Sequence, residues 1–279
     1  MKNTDKFNSF FKLHSKNVDN SNTQGFWKLT DEIIKAFLLD TISKRDDITL
    51  VDFGGGTGRW AQILDQYLNN SHIIIVDLSS DMLSVARKKV ASGIFKNKVT
   101  LINSDMAQVD ELKSDSIDYI ISTYNPLSFS KEPQKVINEA YRILKKDGLV
   151  ALTTQGYHNA LFSQIYNHQA SSKALRDLYK NKKLAWNDFV PETWQLSKED
   201  MEKMFKKAGF RNITSRGIAC VIQPQDEDWD QSNVKIGKLS HKLNTDKDFF
   251  NTVLQIELSV GCEQSCVNRG MNIMTIGKK

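Results

Sequence analysis

The stretch Val51-Asp52-Phe53-Gly54-Gly55-Gly56-Thr57-Gly58 constrains this chain more than any other feature. Leu50, Val51 and Phe53 read as the end of a buried strand, and from Arg59 onward Trp60, Ala61, Ile63, Leu64, Tyr67 and Leu68 recur at helical spacing. The glycines between them form a strand-to-helix turn. Lacking Cβ, Gly54, Gly56 and Gly58 can take positive φ and let a ligand lie against bare backbone N–H groups at the helix N-terminus. That placement points to a bound nucleoside.

The frame of the glycines matters. The dinucleotide fingerprint G-x-G-x-x-G fails from Gly54, where Arg59 takes the last position, but fits in relaxed form from Gly56 through Gly58 to Ala61. Asp52 tips the choice: a carboxylate there repels a pyrophosphate and attracts the ammonium of a methionine moiety. The pattern D-x-G-x-G-x-G from Asp52 to Gly58 resembles the first motif of class I S-adenosylmethionine-dependent methyltransferases. The resemblance implies S-adenosylmethionine as cofactor and S-adenosylhomocysteine as product, held by Asp52, Gly54, Gly55, Gly56 and Gly58.

The following segments arrive in the order such a fold needs. His72-Ile73-Ile74-Ile75-Val76-Asp77 is an apolar run ending in a carboxylate about 20 residues after the glycines, with a helix opening at Ser79 or Ser80. Asp77, with Leu78 beside it, thus falls at the carboxyl end of a second strand, where a carboxylate accepts both ribose hydroxyls. Val99 to Asp105 reads as a third strand; by resemblance, Asp105 accepts from the adenine amino group and Met106 packs on the ring. Ile117 to Thr123 is a fourth strand leading into Tyr124-Asn125-Pro126-Leu127-Ser128-Phe129, which brings Thr123 to the cofactor. A helix from Val136 closes in a turn at Gly148, before a fifth strand over residues 149–154. Its wording, Glu139-Ala140-Tyr141-Arg142-Ile143-Leu144-Lys145-Lys146-Asp147-Gly148, resembles the small-molecule branch of the family, which includes ubiquinone-type methyltransferases with a type 11-like core.

The family's base-amine and glutamine methylases carry Asn/Asp/Ser-Pro-Pro-aromatic after strand four. Here the sequence is Asn125-Pro126-Leu127-Ser128, which argues against that chemistry. The expected activity is methyl transfer to N, O or C of a small molecule or small modified peptide, by in-line displacement without a metal. Competing readings are an RNA methyltransferase, an N-methyltransferase of a natural-product peptide's terminal amine, an NAD-dependent oxidoreductase and a catalytically silent nucleoside-binding regulator.

Composition agrees with one large core: 279 residues, 40% hydrophobic, net charge +5. No apolar stretch reaches membrane-spanning length and residues 1–22 are too polar for a secretory signal, so the expectation is a cytoplasmic protein, monomer or homodimer, with no membrane partner. Cys262 and Cys266 are spaced like neighbours on a helix face and Cys220 is distant, so neither a zinc site nor a disulfide framework is expected. The basic run from Lys173 to Lys183 carries an apolar stripe of Ala174, Leu175, Leu178 and Tyr179. That pattern makes it a solvated helix face and disfavours nucleic acid.

The expected fold is α/β, a Rossmann-like doubly wound seven-stranded sheet with an antiparallel last strand, plus an N-terminal helical segment and an inserted helical cap. Within a single domain of residues 1–279, residues 1–45 form the N-terminal cover and 46–154 the cofactor-binding core. Residues 155–197 form the cap, too long for an ordinary connection, and 198–279 complete the sheet. A helix over 31–39, a sixth strand within 211–222, an exposed loop over 226–233, a helix over 248–260 and a last strand over 272–276 complete the outline. Substrate candidates are Phe26, Trp27, Asp31, Gln155, Tyr157, Trp186 and Trp194; catalytic candidates are Tyr124, Asn125 and His158, at strand ends facing the cleft.

Overall fold

A computed structural model describes residues 3–229 and 235–279. The chain opens with α1 (Asn3–His14), a 3-10 turn (Val18–Thr23) and α2 (Gly25–Thr41), then enters the sheet through β1 (Thr49–Phe53). There follow α3 (Arg59–Asp65), β2 (His72–Asp77), α4 (Ser80–Ala91), β3 (Lys98–Asn103), β4 (Ile117–Ser122), α5 (Pro126–Phe129), α6 (Pro133–Ile143) and β5 (Leu144–Gly156). The insertion contributes α7 (Tyr157–Tyr166), α8 (Ser172–Asn181), β6 (Lys183–Leu184) and β7 (Thr193–Leu196). The chain ends with α9 (Lys198–Ala208), β8 (Arg211–Ile218), α10 (Lys238–Thr245), α11 (Lys247–Cys262) and β9 (Asn272–Lys278).

Alternation along the strands explains the layers. Leu50, Ile73 and Ile75 face one core with Leu29, Ile33, Phe37, Trp60 and Leu64, while Val51, Ile74 and Val76 face a second with Val136, Ile137, Met201 and Phe205. A strand apolar on both faces must be covered by helices on both, the doubly wound arrangement. β3, β2, β1, β4 and β5 run parallel in that order, and β9 closes against β5 antiparallel with β8 outside it. The doubly wound sheet with its reversed last strand matches the expectation.

The structure revises several details. Among the described residues the sheet has nine strands rather than seven, because β6 and β7 of the insertion form a ribbon and β7 pairs parallel with the tip of β5, Gln155 opposite Gln195. The helix expected over 31–39 begins at Gly25. α6 stops at Ile143, where Leu144 turns extended and pairs with Ile117 of β4, so the strand starts before Gly148 rather than after it. β3 ends at Asn103, leaving Asp105 in the turn beyond. α11 ends at Cys262, so Cys266 lies past the helix and shares no face with it. The stretch expected as an exposed loop over 226–233 holds a 3-10 turn, Asp226–Trp229, with Asp228 buried against Ser240; residues 230–233 lie outside the described residues.

Candidate cofactor and substrate site

The glycine turn leaves β1 with Gly54, Gly56 and Gly58 at φ +66°, +55° and +73°. Side chains are excluded there by more than the dihedrals. A Cβ on Gly54 would meet Pro126 at 2.3 Å, and one on Gly55 would meet the carboxyl carbon of Asp52 at 2.7 Å. The turn is therefore seated directly on Asp52. That carboxyl is buried and neither oxygen makes a hydrogen bond. Burial first, then the charge of Asp77, pushes its pKa up to about 8; the nearby Ala61 amide pulls the other way without reaching hydrogen-bond geometry.

Asp77 flanks the other side of the turn. Its Oδ2 accepts from the Gly56 amide at 2.8 Å and its Oδ1 from the Ser79 amide at 2.7 Å. Burial raises its pKa to about 6, against the pull of those two amides. Each oxygen keeps a lone pair, so the carboxylate can hold the turn and still accept from a diol. Beyond it Leu78 stands 53% exposed, an expensive position for a leucine, and Met106 lies half-buried. The Asn103 amide bonds the carbonyls of Asp77 and Leu78 and so ties the exits of β2 and β3 together. Asp105 is exposed, with one oxygen taken by the Ala107 amide. Leu78 and Met106 thus follow the exits of β2 and β3, next along the chain from the carboxylates of Asp77 and Asp105.

After β4, Thr123 is buried, and Tyr124 and Asn125 follow with consecutive positive φ of +56° and +70°. Two non-glycine residues in the left-handed region cost energy, and here the surroundings hold them there. The Asn125 amide N–H donates to Thr153 Oγ1 at 2.9 Å and its Nδ2 to Asn272 Oδ1 at 2.8 Å, while its own Oδ1 is buried without a partner. The Tyr124 hydroxyl donates to Asp31 Oδ1 at 2.5 Å. Burial, with Asp31 adding to it, raises the phenol well above its ordinary range despite the opposing pull of Arg59, so Tyr124 is a donor and not a base.

Arg59, the first residue after the last glycine, grips both oxygens of Asp31. Asp31, a substrate candidate from the sequence, thus has both oxygens engaged by Arg59. Arg59 has no role expected from the sequence, although an arginine at the start of the helix behind a glycine turn is itself a signal. Trp27 and Trp60 lie against Tyr124, their ring centroids 6.1 and 6.2 Å away, and Trp229, also missed, stacks edge-on upon Trp27 at 5.0 Å. Trp27 Nε1 donates to the Asp228 carbonyl. Phe26, 0% exposed, buries its ring in the core, so it packs and does not face a ligand.

The cap residues are committed elsewhere. Gln155 Oε1 accepts from Trp186 Nε1 at 2.9 Å, Thr193 Oγ1 at 3.0 Å and Gln195 Nε2 at 2.6 Å, a node that pins the β6–β7 ribbon to β5. Tyr157 donates to the Tyr179 carbonyl and joins α7 to α8. Trp194 Nε1 donates to the Ser130 carbonyl, with the Lys183 ammonium over its ring. His158 is exposed and its ring touches Tyr157; nothing places it against Tyr124 or the glycine turn, so the catalytic role expected of it has no geometric support.

A buried carboxyl without a hydrogen bond thus lies under the glycine turn, with a second carboxylate at the end of the next strand. Residues 50–148 match the family model described as a methyltransferase domain. The ubiquinone/menaquinone biosynthesis C-methyltransferase UbiE of Ruegeria sp. is 24% identical over 216 residues, covering 71% of this chain and 80% of that protein. The chloroplastic 2-methyl-6-phytyl-1,4-hydroquinone methyltransferase 1 of rice is 26% identical over 173 residues, 61% of this chain but only 43% of that protein. The fold is also that of a putative methyltransferase solved with the Trm112 activator from Haloferax volcanii, with a TM-score of 0.58, 16% identity and 96% of both chains covered. The chain thus resembles S-adenosylmethionine-dependent methyltransferases, with the family match lying within residues 50–148.

Proposed function

We propose that the protein methylates an N, O or C nucleophile on a small, neutral substrate with a planar or apolar body. The observation that carries the cofactor side is Asp52, buried without a hydrogen bond and raised to about 8 beside Asp77. A buried carboxyl in that state gains most from a cationic ligand and would oppose a pyrophosphate. On the substrate side, the Asp31 charge is met by Arg59, and Trp27, Trp60, Tyr124 and Trp229 supply ring surface around it. Such surroundings favour an uncharged planar acceptor over an ammonium or a phosphate.

S-adenosylmethionine, when bound, supplies a methyl group already activated on a sulfonium. What is left for the chain is alignment and exclusion of water. The glycine turn and Asp77 hold the nucleoside, Leu78 and Met106 pack its base, and the strained pair Tyr124-Asn125 fixes the exit of β4 beside the acceptor. The buried Asn125 Oδ1 is an acceptor for a substrate N–H or O–H. Tyr124 keeps its proton, so an amine acceptor must arrive unprotonated and a hydroxyl acceptor must supply its own acidity.

The deciding experiment incubates the protein with methyl-labelled cofactor and a fractionated cell extract. Label is expected in the low-molecular-mass fraction. Label in RNA would overturn the small-molecule reading, and cofactor binding with no label anywhere would favour a silent regulator. Label in a short peptide would direct attention to terminal-amine methylation.

A further inference from the structure

The N-terminal segment touches the glycine turn after β1, the last turn of α4 and the end of α5. Asp19, in the 3-10 turn after α1, accepts from Thr57 Oγ1 of the glycine turn at 2.7 Å and pairs with Lys89 of α4, behind β2, at 2.7 Å. Thr57 itself is buried. At the other end, Phe10 of α1 stacks on Phe129, behind β4, and Phe11 meets it edge-on, with centroids 5.9 and 5.3 Å apart, and α1 packs along α4. The segment thus bridges the glycine turn seated on Asp52 and the α5 turn that follows Asn125. Its attachments differ in kind: a single carboxylate making two polar contacts on one side, and an aromatic cluster on the other.

We propose that residues 3–23 form a gate over the cofactor cleft and that Asp19 is its latch, a positioning residue that acts through Thr57 and Lys89. The aromatic contact with Phe129 is the side on which the segment stays attached, because its apolar area is held whether or not the polar latch is made. Cofactor must pass beneath this segment on the way in, and demethylated product on the way out. The latch therefore sets the exchange rate in both directions, while the glycine turn and Asp77 set the affinity. The proposal rests on the S-adenosylmethionine reading of the cleft.

Stopped-flow measurement of S-adenosylhomocysteine binding to the full chain tests it, comparing wild type with Asp19→Ala, Asp19→Glu and Phe10→Ala. Asp19→Ala is expected to raise both association and dissociation rate constants several-fold, leaving the equilibrium constant nearly unchanged; Asp19→Glu, which keeps the carboxylate, should restore much of the slow exchange. Phe10→Ala should act in the same direction. A rise in dissociation alone would mean that Asp19 merely braces the ligand site, and unchanged rates would mean that the segment does not gate; either result overturns the proposal. Failure of the wild type to bind S-adenosylhomocysteine would instead overturn the cofactor reading on which it stands.

Discussion

At the scale of single residues, the two acidic groups around the glycine turn make the most direct predictions. Asp52 lies at about 8 in the fold against 3.8 for a free carboxyl, so the folded chain holds a proton that the unfolded chain has released. The sign follows: its contribution to stability is fully present below pH 3.8 and is lost as pH rises towards 8. Asp52→Asn should therefore be more stable than wild type at pH 9 and comparable at pH near 4, as chemical denaturation across that range can show; equal stability at both ends would mean that the carboxyl is not buried uncharged. Cofactor affinity should run the opposite way. A cation beside Asp52 favours the ionised form, so binding releases a proton and tightens as pH climbs to about 8, by at most about tenfold per pH unit. Calorimetry in buffers of different ionisation enthalpy counts that proton, and a count of zero excludes Asp52 as the cation's partner. For Asp77→Ala, loss of the ribose acceptor and of the Gly56 tether should weaken cofactor binding by about 1.5–3 kcal/mol, tenfold or more. Unchanged affinity in a folded variant would remove the ribose assignment.

Among elements, the insertion behaves as part of the sheet more than as a loose lid. α7 and α8 share a small core of Tyr157, Ala160, Leu178 and Leu184, and the ribbon β6–β7 is anchored by the three hydrogen bonds on Gln155. Gln155→Ala should leave the Trp186 indole N–H without its acceptor, while Thr193 and Gln195 keep the Leu184 and Thr193 oxygens, and cost about 1–3 kcal/mol in unfolding free energy, with faster proteolysis confined to residues 157–196. Uniform protection in that variant would show that the ribbon is held by something else. Trp186→Ala and Trp194→Ala should reduce stability through the same lost contacts while sparing cofactor affinity, and His158→Ala should retain turnover. Loss of turnover in His158→Ala alone would return that histidine to the catalytic list. The sequence made the insertion visible by length and aromatic content. It gave no sign of the pairing between Gln155 and Gln195, because two short polar-containing stretches carry no period long enough to announce a strand.

For the whole molecule, the basic run is interleaved with acids: Lys173 pairs with Asp177, Lys182 with Asp200 and Lys183 with Glu192. Among the described residues no helix is long and apolar enough to cross a membrane. What was legible beforehand follows from how far each signal reaches. The doubly wound core is written in local periodicity, and Asp52, the glycines and Asp77 in spacing along the chain. The Asp31–Arg59–Tyr124 group and the Asp19–Thr57 contact join residues 28, 93 and 38 positions apart, through polar side chains that follow no period. The two ends of the chain meet in the same long-range way. Phe26 N–H donates to Ser240 Oγ, Trp27 Nε1 to the Asp228 carbonyl and Asn244 Nδ2 to the Thr23 carbonyl, and α2 packs on α10 and α11. The approach is closest at Gly25, where a Cβ would stand 2.3 Å from the Ser240 carbonyl oxygen. Backbone cannot yield there as a flexible side chain would, so Gly25→Ala must push α2 off α10 and should cost about 1–3 kcal/mol. Because α2 also carries Asp31 and the core residues Leu29 and Ile33, the loss should lower one cooperative transition and weaken cofactor binding with it. Tryptophan fluorescence and circular dichroism followed together through a denaturant series provide the measurement. Coincident curves at a lower midpoint are expected; two separated transitions would show that the helical cover formed by both chain ends folds independently of the sheet it covers.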